Sequence, residues 1–466
     1  MASATCEAST PEARSIPTTR HDSPFASRWK VVRELGRGSF STVFLAEPLD
    51  RDALGFLAPP GPLAVKLFPA GDSAADLRAE IRAMTALSAW SHTRAAVPGR
   101  AGLAGHDPRK AAASLASAAG EDHPEAATRR GRRRRSCPSP PPESSTLAVP
   151  VDEVERLVEA GSSSILRAFG LEQSPFETAL VLEPCLGGDL RDYLAARFSH
   201  TKRAAAGGLV TEAQARPIAF HLVLALAFCH SRGVAVRDLK PENVLIARDG
   251  SIRLSDFGLS ATDCWSPTRG VFLQSGTATY MGPEGLAGCF GATRGAGVVV
   301  GPGSSGGGVE PDDASGAACG AEVPSVAHAP ASTANEHGTA VDWWALGATL
   351  YELLLGVPPF FRKGQQDAET ARRVLTEPFE LPPWASSGQL SEEATSLLED
   401  LLCKDPERRL GVRDAGVESL LRHPFFGRGR RARQRLAEAI PVDLEADGAW
   451  RWLPGLAEGG AQSDSD

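Results

Sequence analysis

The chain is short of the features that tie a protein to a membrane, a secreted framework or a nucleic-acid surface. Its eight cysteines include no C-x-x-C pair, which argues against a zinc ribbon or a redox motif. They are spread too thinly for a secreted disulfide framework, so a reducing, intracellular compartment is expected. The longest apolar stretch, Ile218 to Cys229, contains His221 and falls well short of the ~20 residues that span a bilayer. A buried helix is the reading there, and no membrane span is expected. The segment Met1–Arg20 has no apolar core of the kind a secretory signal needs, Glu7 and Glu12 count against a transit peptide, and Ala2 in place of glycine excludes N-myristoylation. Excess positive charge is missing too. Against 49 Lys+Arg stand 57 Asp+Glu, a formal net charge of -8, so the chain as a whole is not built to coat nucleic acid or an anionic membrane.

What is present is a globular composition. Hydrophobic residues make up 42%, enough to bury a core, and the 466 residues exceed one small domain. Gly 47 and Pro 35 point to long loops. Residues 1–28 read as a disordered leader. From Trp29 the texture changes: WKVVRELGRGSFSTVFLAE reads as strand, glycine turn, strand, and LAVKLF as another strand. Leu77, Ile81, Met84 and Leu87 recur at helical spacing. A stretch from about 91 to 155 follows, rich in Ala, Gly, Ser and Pro and carrying the run Arg129 to Arg135; such material buries too little surface to offset chain entropy. Strand texture returns in SSSILRAFGLEQ and TALVLEPCL. Helical patterns then run through LRDYLAARF, ARPIAFHLVLALAFCHSRG, AVDWWALGATLYELLLG and SEEATSLLEDLLCKDPERR, broken by a second low-complexity insertion at 285–338. Strands first and helices afterwards predict an α+β fold, a small sheet-rich lobe joined to a larger helical one, over 29–427, with 428–466 as a tail.

Three signals carry chemistry. The first is the segment around Gly36 and Gly38, where glycines in a strand-turn-strand let backbone N–H groups approach phosphate. Alone it is weak, since two glycines in a hairpin are more often only a turn, and it fits a dinucleotide fingerprint badly because a strand follows it. The second is Lys66 at a strand with Glu80 on the next helix, a candidate ion pair holding a cation against phosphate oxygens. By itself such a lysine is usually a solvated surface charge. The third is strong: Arg237-Asp238-Leu239-Lys240-Pro241-Glu242-Asn243, followed by Ser255-Asp256-Phe257-Gly258. One carboxylate to take the nucleophile's proton, and a second beside an amide to hold a hard cation, is the kit of phosphoryl transfer. Turn chemistry explains either piece alone but not their order.

Together these residues resemble a eukaryotic-type protein kinase. The resemblance implies the bilobal kinase fold, with ATP and Mg²⁺ as cofactors and protein substrates as partners. Leu35, Gly36, Arg37, Gly38, Ser39, Phe40, Ser41, Thr42 and Val43 would form the glycine-rich loop, with Lys66 on the ATP phosphates and Glu80 its helix partner. Leu182 would be the gatekeeper, and the backbones of Glu183 and Cys185 would meet adenine. Val43, Ala64 and Leu245 would sandwich the purine. Asp238 would be the catalytic base with Lys240 beside it, and Asn243 and Asp256 the magnesium ligands. Glu284 of Gly282-Pro283-Glu284 would pair with Arg409, and Asp342 would cap the catalytic loop from below.

Lys240 and Thr277 resemble serine/threonine kinases, and DWWALGATLYELLLGVPPF with RRLG and HPFF resembles the AGC group. Asp189 would reach the ribose or a substrate arginine; with Glu242 and Glu352 it matches positions that receive substrate arginines in basophilic members. A preference for Arg or Lys upstream of the phosphosite is the expectation. Val236 replaces the usual His or Tyr, Ser41 the third glycine, and Leu273 the activating phospho-threonine, which leaves Thr268, Ser275 and Thr277 as alternative sites for an upstream activating kinase. Trp450 and Trp452 are a thin substitute for the AGC aromatic tail. These departures keep open a catalytically silent kinase-fold scaffold, although such a scaffold has no need of Lys66, Glu80, Asp238, Asn243 and Asp256. A kinase for small molecules is disfavoured by DWWALG and Arg409. The run Arg129 to Arg135 is either a solvated loop or a nuclear-import signal, so the expected location is cytoplasmic, with nuclear entry as the alternative.

Overall fold

The computed structural model describes residues 24–38, 41–54, 56, 58–70, 74–87, 89, 149–201, 210–266, 278–291, 338–362, 364–382, 390–413 and 415–442. The chain divides into two compact units and passes between them more than once, leaving the first for the last time at Pro184–Cys185. The first unit holds strands β1 (Trp29–Arg37), β2 (Thr42–Pro48), β3 (Leu63–Pro69), β4 (Ala168–Gln173) and β5 (Glu177–Leu182), in one antiparallel sheet of order β1-β2-β3-β5-β4. β3 is buried from Leu63 to Phe68, as expected of a central strand rich in branched and aromatic side chains. One face of the sheet packs Phe44, Leu63, Val65, Phe169 and Val181 into a single core. Gly170 is required there, because a Cβ would sit 2.2 Å from the Phe56 ring.

The fold includes residues that the sequence reading gave to the leader. Helix α1 (Pro24–Arg28) lies within the expected leader, and Phe25 stacks on Trp29 at 6.3 Å. The Phe25 amide donates to Glu177 at 2.9 Å, and Trp29 Nε1 to Glu172 at 2.9 Å. An aromatic that closes the end of a core is worth about 1.5–3 kcal/mol, which is why Pro24–Arg28 belongs to the fold.

Helix α2 (Ala74–Ala86) follows β3. In the second unit the next element is a helix that the sequence reading placed inside the first insertion: α3 (Val151–Ala160). Its buried positions, Glu153 and Leu157, are spaced one turn apart, too short a signal to stand out beside 91–150. Then come α4 (Leu190–Thr201) and α5 (Glu212–Ser231), the latter opened by a Thr211/Gln214 capping box. α5 is the apolar run that includes His221, buried on nearly every side from Ile218 to Cys229. A two-stranded ribbon, β6 (Val244–Ile246) with β7 (Ile252–Leu254), precedes α6 (Pro283–Gly291) and α7 (Ala340–Leu355). α7 is buried along most of its length and stops at Gly356, which adopts φ 78, the left-handed stop glycine takes without strain. α8 (Asp367–Thr376), α9 (Glu392–Leu401), α10 (Val417–Leu421) and α11 (Arg430–Glu438) complete the unit. α5 is its hub: α3, α7, α10 and α11 all pack against it.

Two further boundaries move. α6 runs past 285 to Gly291, and the expected tail begins as a docked segment. His221 Nε2 lies 3.1 Å from the Leu436 carbonyl, and the Val442 amide donates to Gly250 at 3.0 Å. Arg433 Nε meets Glu153 of α3 at 2.9 Å, both side chains being buried. Among the described residues no helix is long and apolar enough to cross a membrane.

Candidate active site

The first unit carries the glycine turn and the buried lysine. Register pairs Gly36 with Val43 and Arg37 with Thr42, and the turn closes through Gly38 N–H to Ser41 O at 2.8 Å. Among the described residues nothing lies within 4 Å of a Cβ built on Gly36, so none of them blocks close approach of a ligand to the backbone there. Arg37 spends its side chain on Glu34, with bonds of 3.1 and 2.9 Å, so only its backbone is left to the turn. Lys66 stands opposite Val43 on β2 and Leu180 on β5, buried, with Nζ 5.2 Å from the Phe68 ring centroid. Ala64 and Leu182 are paired across β3 and β5 and buried. Glu183 turns both ends onto Arg167: its N–H donates to the Arg167 carbonyl at 3.0 Å, and its carboxylate accepts the Arg167 N–H at 2.9 Å. Leu35 lies on β1 and Thr42 opens β2, while Ser39 and Phe40 lie outside the described residues.

The second unit carries the acids. Glu80, on α2, is buried. Asp238 Oδ2 accepts from Lys240 Nζ at 2.7 Å and from Asn243 Nδ2 at 2.9 Å. Asn243 Nδ2 also donates to the Asp238 carbonyl at 2.7 Å. Burial pushes the Asp238 carboxyl above the ordinary aspartate range, while Lys240 and Asn243 pull it back. A carboxylate so placed is a stronger base than one in water. The Asn243 amide hydrogens being spent on Asp238, its oxygen remains as an acceptor. Asp256 is held at φ 60, a strained left-handed geometry that is common where a side chain is aimed for function. Asp256 also figures among the charges acting on Asp238. Leu245 lies on β6 opposite Arg253 and bridges to Asp189, and Cys185 is half-buried.

What holds Asp238 is Asp342, on α7 and fully buried. It accepts the amides of Val236 at 2.9 Å and Arg237 at 2.7 Å, and it meets His230 Nε2 at 2.8 Å. Arg237 itself has φ 68. Val236 is fully buried, so valine packs where a ring was expected. His230 was not singled out in the sequence, where it is one histidine at a helix end. Arg409, fully buried, meets Glu284 Oε1 at 2.5 Å and Oε2 at 3.0 Å and the Ala340 carbonyl at 2.7 Å, the ion pair the motif led one to expect.

The three acids expected to read substrate arginine are differently occupied. One Asp189 oxygen accepts the Asp192 N–H at 2.8 Å and so caps α4; burial raises its pKa to about 6. Glu242 and Glu352 both hold Arg191, a residue that attracted no attention in the sequence. Thr268, Leu273, Ser275 and Thr277, the run Arg129–Arg135, and Trp450 with Trp452 lie outside the described residues.

The family described as "Protein kinase domain" matches residues 143–296 and 326–426, more than half of the chain, and leaves the glycine turn and Lys66 outside the match. Ribosomal protein S6 kinase alpha-4 of Homo sapiens is 34% identical over 217 residues, 46% of this chain and 22% of that protein. Protein kinase PINOID of Oryza sativa subsp. japonica is 36% identical over 263 residues, 55% of this chain and 50% of that protein. Serine/threonine-protein kinase RHS3 of Arabidopsis thaliana is 34% identical over 271 residues, 54% of this chain and 52% of that protein. The chain thus spans between about a fifth and about half of the length of these relatives.

Proposed function

The chain belongs to the protein kinase family, most like the AGC-type serine/threonine kinases, and from that premise we propose that it is catalytically active, transferring the γ-phosphate of ATP to serine or threonine of protein substrates. The observation that carries this is the buried cluster Asp238–Lys240–Asn243 with its Asp342 brace. A silent scaffold gains nothing from a buried carboxylate held at an elevated pKa, because burying such a charge is costly.

In this reading Asp238 orients the substrate hydroxyl and accepts its proton, and Lys240 steadies the transferring phosphoryl group. By the likeness to the family, Lys66 and the backbone of Leu35–Val43 are assigned to the triphosphate, Val43, Ala64, Leu182 and Leu245 to the base, and the backbones of Glu183 and Cys185 to its edge. By the same likeness, Glu80 is the acid assigned to Lys66. Asn243 and Asp256 would hold Mg²⁺, which when bound neutralises phosphate charge. The donor set fits, since Mg²⁺ takes one or two protein oxygens beside phosphate rather than a full protein cage. Asp189, Glu242 and Glu352 give a preference for Arg or Lys upstream of the phosphosite. The catalytic domain is the one read over 29–427 together with the segments docked onto it at Pro24–Arg28 and 430–442, and the protein works inside the cell, with an upstream kinase acting on Thr268, Ser275 or Thr277.

The test is phosphate transfer from ATP/Mg²⁺ to Arg-rich serine peptides beside Asp238→Asn. Loss of a positioned base removes about 10²–10⁴-fold of rate. Protonated Asp238 cannot accept, so the native rate falls on the acid side through its raised pKa. Lys240→Met removes the ammonium that lowers this pKa and moves the acid limb to higher pH. ATP binding without transfer at any pH, in native protein and Asp238→Asn alike, would favour the scaffold.

A further inference from the structure

Arg191 sits in the first turn of α4, two residues after the cap Asp189. Its guanidinium is spread over groups from three other parts of the second unit. Nε donates to Glu242 at 2.9 Å, Nη1 to Glu352, and Nη2 to Glu352 at 3.3 Å and to the Tyr280 hydroxyl. The Tyr280 hydroxyl in turn donates to Glu352 Oε2 at 2.5 Å. The Glu352 side chain is only 3% exposed, whereas those of Arg191 and Glu242 are 36% and 42% exposed. A planar fork bound to two carboxylates is how proteins seize an arginine. Here the arginine is the chain's own. Both oxygens of Glu352 and one of Glu242 are already taken, so an incoming guanidinium finds those acids occupied.

We infer that Arg191 is a specificity-determining residue, an internal occupant of the acidic subsite that competes with a substrate arginine for Glu242 and Glu352. The inference rests on the phosphotransferase reading above and deepens it. Arg191 neutralises one of the two charges, and being partly exposed on a helix's first turn it can be displaced into solvent, at the cost of the bonds it gives up. Selectivity for arginine at the position read by these acids is therefore muted rather than abolished. Removing the guanidinium leaves a two-carboxylate pocket of the shape it vacated.

Steady-state kinetics on paired peptides, Arg or Ala at each upstream position, decide the matter in the native protein and in Arg191→Met, which keeps the aliphatic stem. At one position the Arg-over-Ala ratio of kcat/KM is expected to rise about tenfold, corresponding to ~1.4 kcal/mol of relieved competition. The change is expected in KM for the Arg peptide, with kcat and the Ala peptide unchanged, which a merely structural brace would not produce. Arg191→Lys, which keeps charge but loses the fork, is expected to fall between the two and serves if Arg191→Met does not fold. A second readout needs no transfer: N-ethylguanidinium at millimolar concentration should raise the melting temperature of Arg191→Met and leave the native protein unmoved. An equal Arg preference in native and variant proteins overturns the role of Arg191 while leaving the basophilic reading intact. No Arg preference in either, with no guanidinium effect, overturns both.

Discussion

Asp342→Asn tests the link between the buried brace and the loop that carries Asp238. The carboxylate accepts from three groups: Oδ1 from Arg237 N–H, Oδ2 from Val236 N–H and from His230 Nε2. Because an ionised carboxylate only accepts, Nε2 carries the imidazole proton. The amide keeps one oxygen, for Arg237, and brings an NH₂ to the place of Oδ2. His230 can answer by changing tautomer and accepting. Val236 cannot, and its N–H is left unsatisfied in a fully buried position. One orphaned donor costs about 1–3 kcal/mol, and losing the charge from the remaining bonds adds roughly 1 kcal/mol. The expected loss is about 3 kcal/mol, a large part of a stability of ~5–15 kcal/mol. Asp342→Ala, which orphans all three donors, should cost roughly twice as much. The same bonds hold Arg237 at φ 68, a left-handed conformation worth about 1–2 kcal/mol of strain. Once they weaken, Arg237 relaxes and Asp238 shifts; a displacement of ~1 Å can cost ~10²-fold in rate. Urea denaturation and initial rates of transfer read the two effects. An unfolding free energy within about 0.5 kcal/mol of native, the scale of an indifferent surface change, together with an unchanged rate, would refute the reasoning.

Two further outcomes are expected. Glu153 and Arg433 are a buried pair joining α3 to α11, so Glu153→Leu alone should cost about 3–5 kcal/mol, while Glu153→Leu with Arg433→Leu should return close to native stability. Thermal melts of the three proteins check this, and a double variant no better than the single one contradicts it. Asp189 has its pKa raised to about 6 by burial, so between pH ~4 and ~6 the native state binds its proton more tightly than the unfolded chain, and the stability it contributes falls as pH rises through that window. Asp189→Asn retains an oxygen to cap α4, should flatten that slope and should be more stable than native at pH 7. Parallel pH–stability curves for the two proteins would rule the account out.

The chemistry of the second unit was legible because its carriers are close in sequence. Asp238, Lys240 and Asn243 lie within one short loop, whose local hydrogen bonds bring them together. Strands β1–β3, α5 and α7 were legible for a related reason: their apolar patterning is strong enough to survive without tertiary context. Resemblance to a family then supplied the pairing of Glu284 with Arg409 across a long separation. What remained hidden depends on contacts between distant segments that leave little local trace. Phe25 belongs to the fold because Trp29 and Phe44 lie beside it. α3 exists as a docked helix because Glu153 and Leu157 find partners, a short amphipathic stretch beside low-complexity sequence giving no sign of them. α11 looks like a basic tail until Arg433 is seen to be buried against Glu153.

The sequence by itself carried the likeness to the family, the main run of strands and helices, and the acids and lysines of the candidate site, since these rest on short-range patterns that each segment carries alone. Tertiary structure decided that Phe25, α3 and α11 dock onto the fold, what braces Asp238, and which charges are already spent. Arg191, Glu242, Tyr280 and Glu352 come from separate parts of the chain and meet only when α4 and α7 have packed. Until then the three acids read as an open arginine site; afterwards two of them are held by an arginine of the protein's own, because a bidentate ion pair is set by geometry in space and not by order along the chain.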